Sequence, residues 1–444
     1  MTFPVIPFGR EFKAKYFSNL DPHVINVNHG ALGATPDCIL DEYCKSYKSS
    51  QTFFDKYLRY EQRYEYMTQL KEISTKELLN CDFKNLAIVD SATAGVNTVL
   101  RSFPFKSGDK IVFSTTTYGA CKKLIQFLER RIQIQPIVVD IKYPASEEEV
   151  VAAYETKFQE PGIRMCLMDA VTSVPGARIP FEEITKLCRK YKILSLIDAA
   201  HGIGLLKISL LDLKPDFFVT NLHKWFYVPK SCSVLYVNPE YHRVIQPLTI
   251  SHQYSDEDVS LSTNELEQMR FFDAFQFTAS RNKASIACIT SAKKFRNETC
   301  GGEETIAKYC YELAWEAANH VTTKVWKGSS ILNTKETATA LINVEVPVQD
   351  LIPEVDINEI APWLPQVEHE ICIDYNTFVP CFFYEGKVYI RFSCQIYNEL
   401  DDYIYAANAV SETFKKFFAN IDKFKATPLC GSAFLTVEAF DKIS

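Results

Sequence analysis

Residues 193–237, ILSLIDAAHGIGLLKISLLDLKPDFFVTNLHKWFYVPKSCSVLYV, decide the fold. The apolar run Ile193 to Ile197 has the length and continuity of a strand covered on both faces, and it ends in Asp198 before small residues and a glycine turn. A carboxylate is therefore expected at a strand's C-terminal end. A second run, Phe217 to Val219, follows the turn signal Pro215-Asp216 and leads into Asn221, His223 and Lys224, just before Trp225. Open α/β sheets bind ligands outside the carboxyl ends of their strands, so Asp198 and Lys224 are expected to face one crevice.

A buried acid and a buried lysine about one β-unit apart suit one chemistry especially well, pyridoxal phosphate held as a Schiff base. Lys224 is the expected imine lysine, its amine needing a lowered pKa to attack a carbonyl. Asp198 is expected to pair with the pyridinium nitrogen, so that the ring acts as an electron sink. Taken singly, Asp198 also reads as a turn acceptor and Lys224 as a solvated surface charge. Together, in D-A-A-H-G-I-G and N-L-H-K-W, the pair favours the cofactor.

On these motifs the chain resembles the class V aminotransferase superfamily of fold-type I pyridoxal-phosphate enzymes, which includes cysteine desulfurases and isopenicillin N epimerase-like proteins. Within it the likeness extends to the fungal lyases of ergothioneine biosynthesis, through T-T-Y-G-A-C at 116–121 and D-Y-N-T-F-V-P at 374–380. The resemblance runs from about Phe8 to about Leu400. It implies an α/β fold: a large pyridoxal-phosphate domain with a mostly parallel, doubly wound sheet over residues 36–280, and a smaller α+β domain over 281–444. Residues 1–35 are expected to pack over the active site.

Composition sets the remaining bounds. At 444 residues the chain is long enough for two domains, and 47% hydrophobic with 23% charged residues is ordinary for a globular protein. A net charge of −7 without a basic run argues against nucleic acid as a partner. No apolar stretch reaches membrane-spanning length, and MTFPVIPFGREFKAKYF has no signal-peptide core, so a cytosolic enzyme is expected. Fourteen cysteines are scattered singly, with neither C-x-x-C nor Cys/His pairs at metal spacing, so no metal site and no disulfide framework is read.

Taken in order, a short strand-like run, Val24 to Val27, leads into Asn28-His29-Gly30-Ala31-Leu32-Gly33, which reads as a glycine turn. The resemblance makes Asn28 and His29 candidates for orienting a substrate. Strand Leu86 to Val89 is followed by Ser91-Ala92-Thr93-Ala94-Gly95, small residues opening a helix, whose free N–H groups make a phosphate site; N-capping by Ser91 explains them equally well. The family's phosphate role falls on Ala92 and Thr93. Strand Ile111 to Phe113 ends before Tyr118, the candidate for stacking on the ring and for donating a proton to a leaving group, although it also reads as a core tyrosine. Strand Met165 to Met168 ends in D-A-V-T-S, which by resemblance brings Asp169 and Ser173 near the cofactor's O3′. His201 falls where relatives carry Gln or His close to O3′, and His223 is expected to touch the phosphate. Strands alternate with helices over roughly 200 residues, which argues for the doubly wound sheet. The polar stretch Ser251 to Gln268 reads as a surface excursion toward a partner subunit.

One segment departs from the family. Where relatives carry G-T-x-D, whose Thr binds the phosphate of the neighbouring subunit's cofactor, this chain reads Phe277-Thr278-Ala279-Ser280-Arg281-Asn282. Ser280 keeps a hydroxyl, so a homodimer with shared active sites is still expected; Ala279 loses glycine's freedom and Asn282 loses the charge. Farther on, Arg391 stands inside the apolar run V-Y-I-R-F-S. A buried arginine must find an anion, either a structural partner or a substrate α-carboxylate; R-F-S-x-Q-I-Y-N resembles the family's carboxylate motif. Lys224, Tyr118 and Asp198 are the expected catalytic groups. The favoured reaction is β-elimination from a cysteine conjugate or its sulfoxide. Epimerisation, transamination and desulfuration are the alternatives, the last through a thiolate such as Cys381; a silent fold that keeps its cofactor is the reading outside catalysis.

Overall fold

A computed structural model describes residues 3–421 except 257 and 279. The chain forms two compact units. One holds Leu32–Ser173 and Arg178–Glu303; the other holds Pro4–Ala31, Val174–Ala177 and residues 304–421. Residues 281–303, expected at the start of the small domain, fall in the larger unit, where Arg296 is wholly buried and paired with Glu303.

The larger unit is built on seven strands: β1 Leu86–Val89, β2 Lys110–Ser114, β3 Gln135–Val139, β4 Ile163–Asp169, β5 Leu194–Ala199, β6 Phe217–Asn221 and β7 Ser233–Val237. Their order across the sheet is β1-β7-β6-β5-β4-β2-β3. Every pairing is parallel except the two made by β7, which runs against both β1 and β6. Residues of β1, β6 and β7 are buried throughout, as continuous apolar runs require when helices cover both faces. Because β1, β2, β4, β5 and β6 point the same way, their carboxyl ends open on one edge. That edge carries Ser91 and Ala92, Tyr118, Asp169, Asp198 and Lys224.

Local sequence places the covering helices. Ser91 caps Ala92–Ser102 by accepting from the Ala94 amide at 3.1 Å, and Ser146 with Glu149 makes a capping box on Glu147–Phe158. Gly95 lets the first of these lie directly on β6, since a Cβ there would stand 2.5 Å from Val219 Cγ2. Farther along, the chain forms the short helices Ala284–Ala287 and Ile289–Lys294 and a π-turn at Phe295–Thr299.

The smaller unit has an antiparallel sheet ordered β8-β10-β9, from β8 Leu341–Glu345, β9 Cys381–Tyr384 and β10 Lys387–Ser393. Val344, Ile390 and Phe392 pack with Tyr403, Val410 and Phe414 of helix Leu400–Phe418. The strand-like run Val24 to Val27 makes no strand; Ile25 and Asn28 form single bridges to Thr377 and Ser393. Asn28 is followed by one helical turn, His29–Leu32, rather than a glycine turn. Among the described residues no helix is long and apolar enough to cross a membrane, and no cluster of His, Cys, Asp and Glu could hold a metal.

Candidate active site

Lys224 follows β6 by three residues. Its Nζ lies 3.2 Å from His201 Nε2, and the Trp225 indole N–H donates to His201 Nδ1 at 3.0 Å. Asp198 is next to last in β5 and is 4% exposed; Oδ1 accepts from the Ala200 amide at 3.0 Å and Oδ2 from the Cys121 thiol at 3.5 Å. Burial pushes the Asp198 carboxyl up, while the Ala200 amide and the charge of Lys224 pull it back.

Asp169 ends β4 in register with Asp198. Burial, then the neighbouring Asp198 charge, drives it well above the carboxylate range, against weaker pulls from Thr117 and Lys122. Two buried carboxyls side by side are costly to ionise together, and both are pushed upward, Asp169 the more strongly. Its Oδ2 is buried with no hydrogen-bond partner among the described residues. Tyr118, half-buried, precedes helix Gly119–Ile132; burial, then Cys121 and Asp198, raises its phenol, so it stays protonated at neutral pH.

At the end of β1 the Ala92 amide donates to Asn221 Oδ1 at 2.8 Å, and the Ser233 hydroxyl donates to the same oxygen at 2.6 Å. Asn221 thereby ties the helix start to the lysine strand. Thr93 is partly exposed one residue on. His223 Nδ1 lies 3.0 Å from the Cys232 carbonyl, and burial lowers its pKa to about 4, so the ring is neutral and donates there. Gly33, at φ +75°, passes so close to His223 that a Cβ would stand 1.8 Å from its carbonyl oxygen. Ser173 is half-buried after β4. Ser280 is exposed, and Ala279 lies outside the described residues. Beside Ser280, Arg281 pairs with Asp90, and Asn282 donates to the Tyr43 hydroxyl at 2.7 Å.

In the smaller unit Arg391 is 3% exposed on β10, and its Nη2 donates to Asn28 Oδ1 at 2.6 Å. Burial lowers the guanidinium to about 10, opposed by the charge of Glu368, so it remains cationic at neutral pH. Glu368 itself is raised by burial to about 7; it accepts from the Cys381 amide at 2.7 Å. His29 is buried, with Nδ1 2.9 Å from the Tyr397 hydroxyl.

The sequence did not point to Asn221 as a link between phosphate loop and lysine, to Cys121 as a donor to Asp198, or to Glu368. Nor did it mark Arg296, which donates to the Trp225 carbonyl at 2.6 Å and the Gly204 carbonyl at 3.1 Å. The only available signal was an arginine seven residues before Glu303 in a helical stretch, and its lysine neighbours disguise it as surface.

A sequence model of the family described as "Aminotransferase class-V" matches residues 29–299. The chain belongs to the class V aminotransferases. It is 31% identical over 409 residues to hercynylcysteine sulfoxide lyase of Schizosaccharomyces pombe, covering 91% of this chain and 97% of that one. It is 26% identical over 438 residues to the L-cysteine desulfhydrase-like protein lolT1 of Epichloe uncinata, covering 91% and 95%. The solved cystine C–S lyase C-DES shares the fold at a TM-score of 0.70 and 16% identity, covering 89% of this chain and 99% of C-DES.

As a class V aminotransferase the protein is a pyridoxal-phosphate enzyme, and the residues present fit that group. The lysine amine lies against an imidazole, a buried acid stands near the carboxyl end of the next strand, and a buried carboxyl oxygen of Asp169 at the same sheet edge has no hydrogen-bond partner among the described residues.

Proposed function

We propose that this enzyme breaks a carbon–sulfur bond by β-elimination, taking a cysteine conjugate or its sulfoxide as substrate. Its similarity to the fission-yeast lyase over nearly the whole length of both chains supports that class of substrate. The observation that carries the reaction is a base and an acid at one sheet edge: the Lys224 amine on its imidazole, and the Tyr118 phenol kept protonated by burial.

Bound pyridoxal phosphate supplies an electron sink for negative charge developing at the substrate's Cα. Lys224 would anchor it, Asp198 would hold the ring nitrogen, Tyr118 would lie against the ring, and His201, Asp169 and Ser173 would address O3′. Ala92, Thr93 and His223 would receive the phosphate. Arg391, steadied by Asn28, grips the substrate carboxylate, and His29 supports that segment through Tyr397. Lys224 Nζ takes the Cα proton. Tyr118 gives its proton to the departing sulfur, and the three-carbon enamine left behind takes up water after release to give pyruvate and ammonia. In this reading the enzyme is a cytosolic homodimer whose exposed Ser280 reaches the partner subunit's phosphate; gel filtration giving a loaded monomer would refute that part.

Desulfuration is disfavoured by Cys381. Its thiol is 3% exposed, donates to the Val379 carbonyl at 3.4 Å, and is pushed far above the thiolate range by burial and then Glu368. The test is purified enzyme with S-substituted cysteines and their sulfoxides, assayed for pyruvate. Stoichiometric pyruvate, undiminished in Cys381→Ala, is expected. A spectral change without pyruvate would transfer the assignment to epimerisation or transamination.

A further inference from the structure

We infer that Trp225 is a positioning residue that locks His201 in one tautomer, with its proton on Nε2, so that the imidazole donates to Lys224 Nζ only while that amine is uncharged. The argument begins with hydrogen-bonding inventory. An indole N–H is a donor and nothing else, so His201 Nδ1, 3.0 Å away, must accept with its lone pair. That rules out both the imidazolium and the Nδ1–H tautomer. The single ring proton therefore sits on Nε2, 3.2 Å from Lys224 Nζ.

An ammonium has three donors and no acceptor, whereas a neutral amine offers a lone pair. The Nε2–H contact thus bonds the neutral amine and opposes the charged one. Remove the indole, and the imidazole is able to move its proton to Nδ1 and accept from the ammonium at Nε2. The preference then reverses. Among the titratable groups that act on Lys224 are Asp198, whose anion favours the ammonium, and His223, which burial keeps uncharged at neutral pH.

The geometry is held from outside the site. Arg296, wholly buried, donates to the carbonyls of Trp225 and Gly204 at 2.6 and 3.1 Å, and Glu303 takes its remaining face. The turn carrying His201 is fixed again by the Ile203 amide donating to Thr220 Oγ1 at 3.0 Å. The indole and the imidazole are thus pinned through their backbones, and the hydrogen bond between them is set by the fold.

The tautomer stands on its own geometry; its value for catalysis rests on Lys224 being the cofactor lysine. The test uses the full chain labelled with ¹⁵N-histidine, with and without cofactor, His201 being assigned by its loss in His201→Gln. Nitrogen shifts in the apoprotein should show Nε2 protonated and Nδ1 bare, and Trp225→Phe should give a mixture. In the apoproteins, the pH midpoint for modification of Lys224 by an amine-reactive reagent, read by peptide mass spectrometry, should rise by about one unit in Trp225→Phe. A protonated Nδ1 in the unsubstituted protein overturns the inference, and so does an unchanged midpoint in a folded Trp225→Phe. If that variant fails to fold, the unsubstituted spectrum decides alone. A colourless preparation would remove the cofactor assignment without touching the tautomer.

Discussion

Glu303→Gln tests how much of the larger unit's stability depends on a single buried charge. Arg296 has no exposed side-chain surface, and Glu303 meets it twice, Oε1 on Nε at 2.5 Å and Oε2 on Nη2 at 2.6 Å. The amide keeps the shape and one acceptor but removes the countercharge, so that the buried guanidinium faces that neutral oxygen and the carbonyls of Trp225 and Gly204. Breaking one side of a buried pair costs about 3–5 kcal/mol. Because the Glu303 side chain is 32% exposed, water recovers part of the loss, and the lower end, about 3 kcal/mol, applies. At about 2–4 °C for each kcal/mol in a domain of this size, the melting temperature should fall by about 6–12 °C. The assay is a thermal melt in cofactor excess, so that ligand linkage is equal for both proteins. A shift below one degree would mean that the carbonyls alone satisfy Arg296.

Lys224→Ala should abolish the visible absorbance of the purified enzyme and its pyruvate formation together; an unchanged spectrum would refute the cofactor lysine. Arg391→Lys keeps the charge but loses the fork, and should lower kcat/KM by about 10–100-fold, mostly through KM, as steady-state kinetics will show. His223 and His242 are both lowered by burial to about 4, below the ordinary 6.5, so the unfolded chain binds more protons between those values and stability falls as pH falls through that window. By pH 5 each should have cost about 2 kcal/mol, visible as a lower melting temperature than at pH 7; equal melts would contradict the burial of these rings.

The parallel strands were legible because each is a short, largely apolar run with polar or charged residues at or just beyond its end, which is how Asp169, Asp198 and Lys224 announced themselves. β7 was not, since Ser233–Val237 carries no mark of running antiparallel; only its pairing with both β1 and β6 sets its direction. At the site, residue types could be read, but not their hydrogen bonds. His201 was found by its place after Asp198, whereas its dependence on Trp225 requires two loops to meet through an indole. Asn221 looked like a strand end, and its capping of Ala92 spans 129 positions. The arginine in β10 was conspicuous because its neighbours are apolar; Arg296 was hidden because its neighbours are charged.

The strand order has a consequence for synthesis. β1 is the first strand of the larger sheet to leave the ribosome, yet it pairs only with β7, the last. At about 5–20 residues per second, the roughly 150 residues between them take about 7–30 s to make. Throughout that interval Leu86–Val89, wholly buried in the finished protein, is an apolar edge without a neighbour. Nascent chains stalled before residue 237 should therefore bind holdase chaperones through this segment, and release them once β7 has emerged.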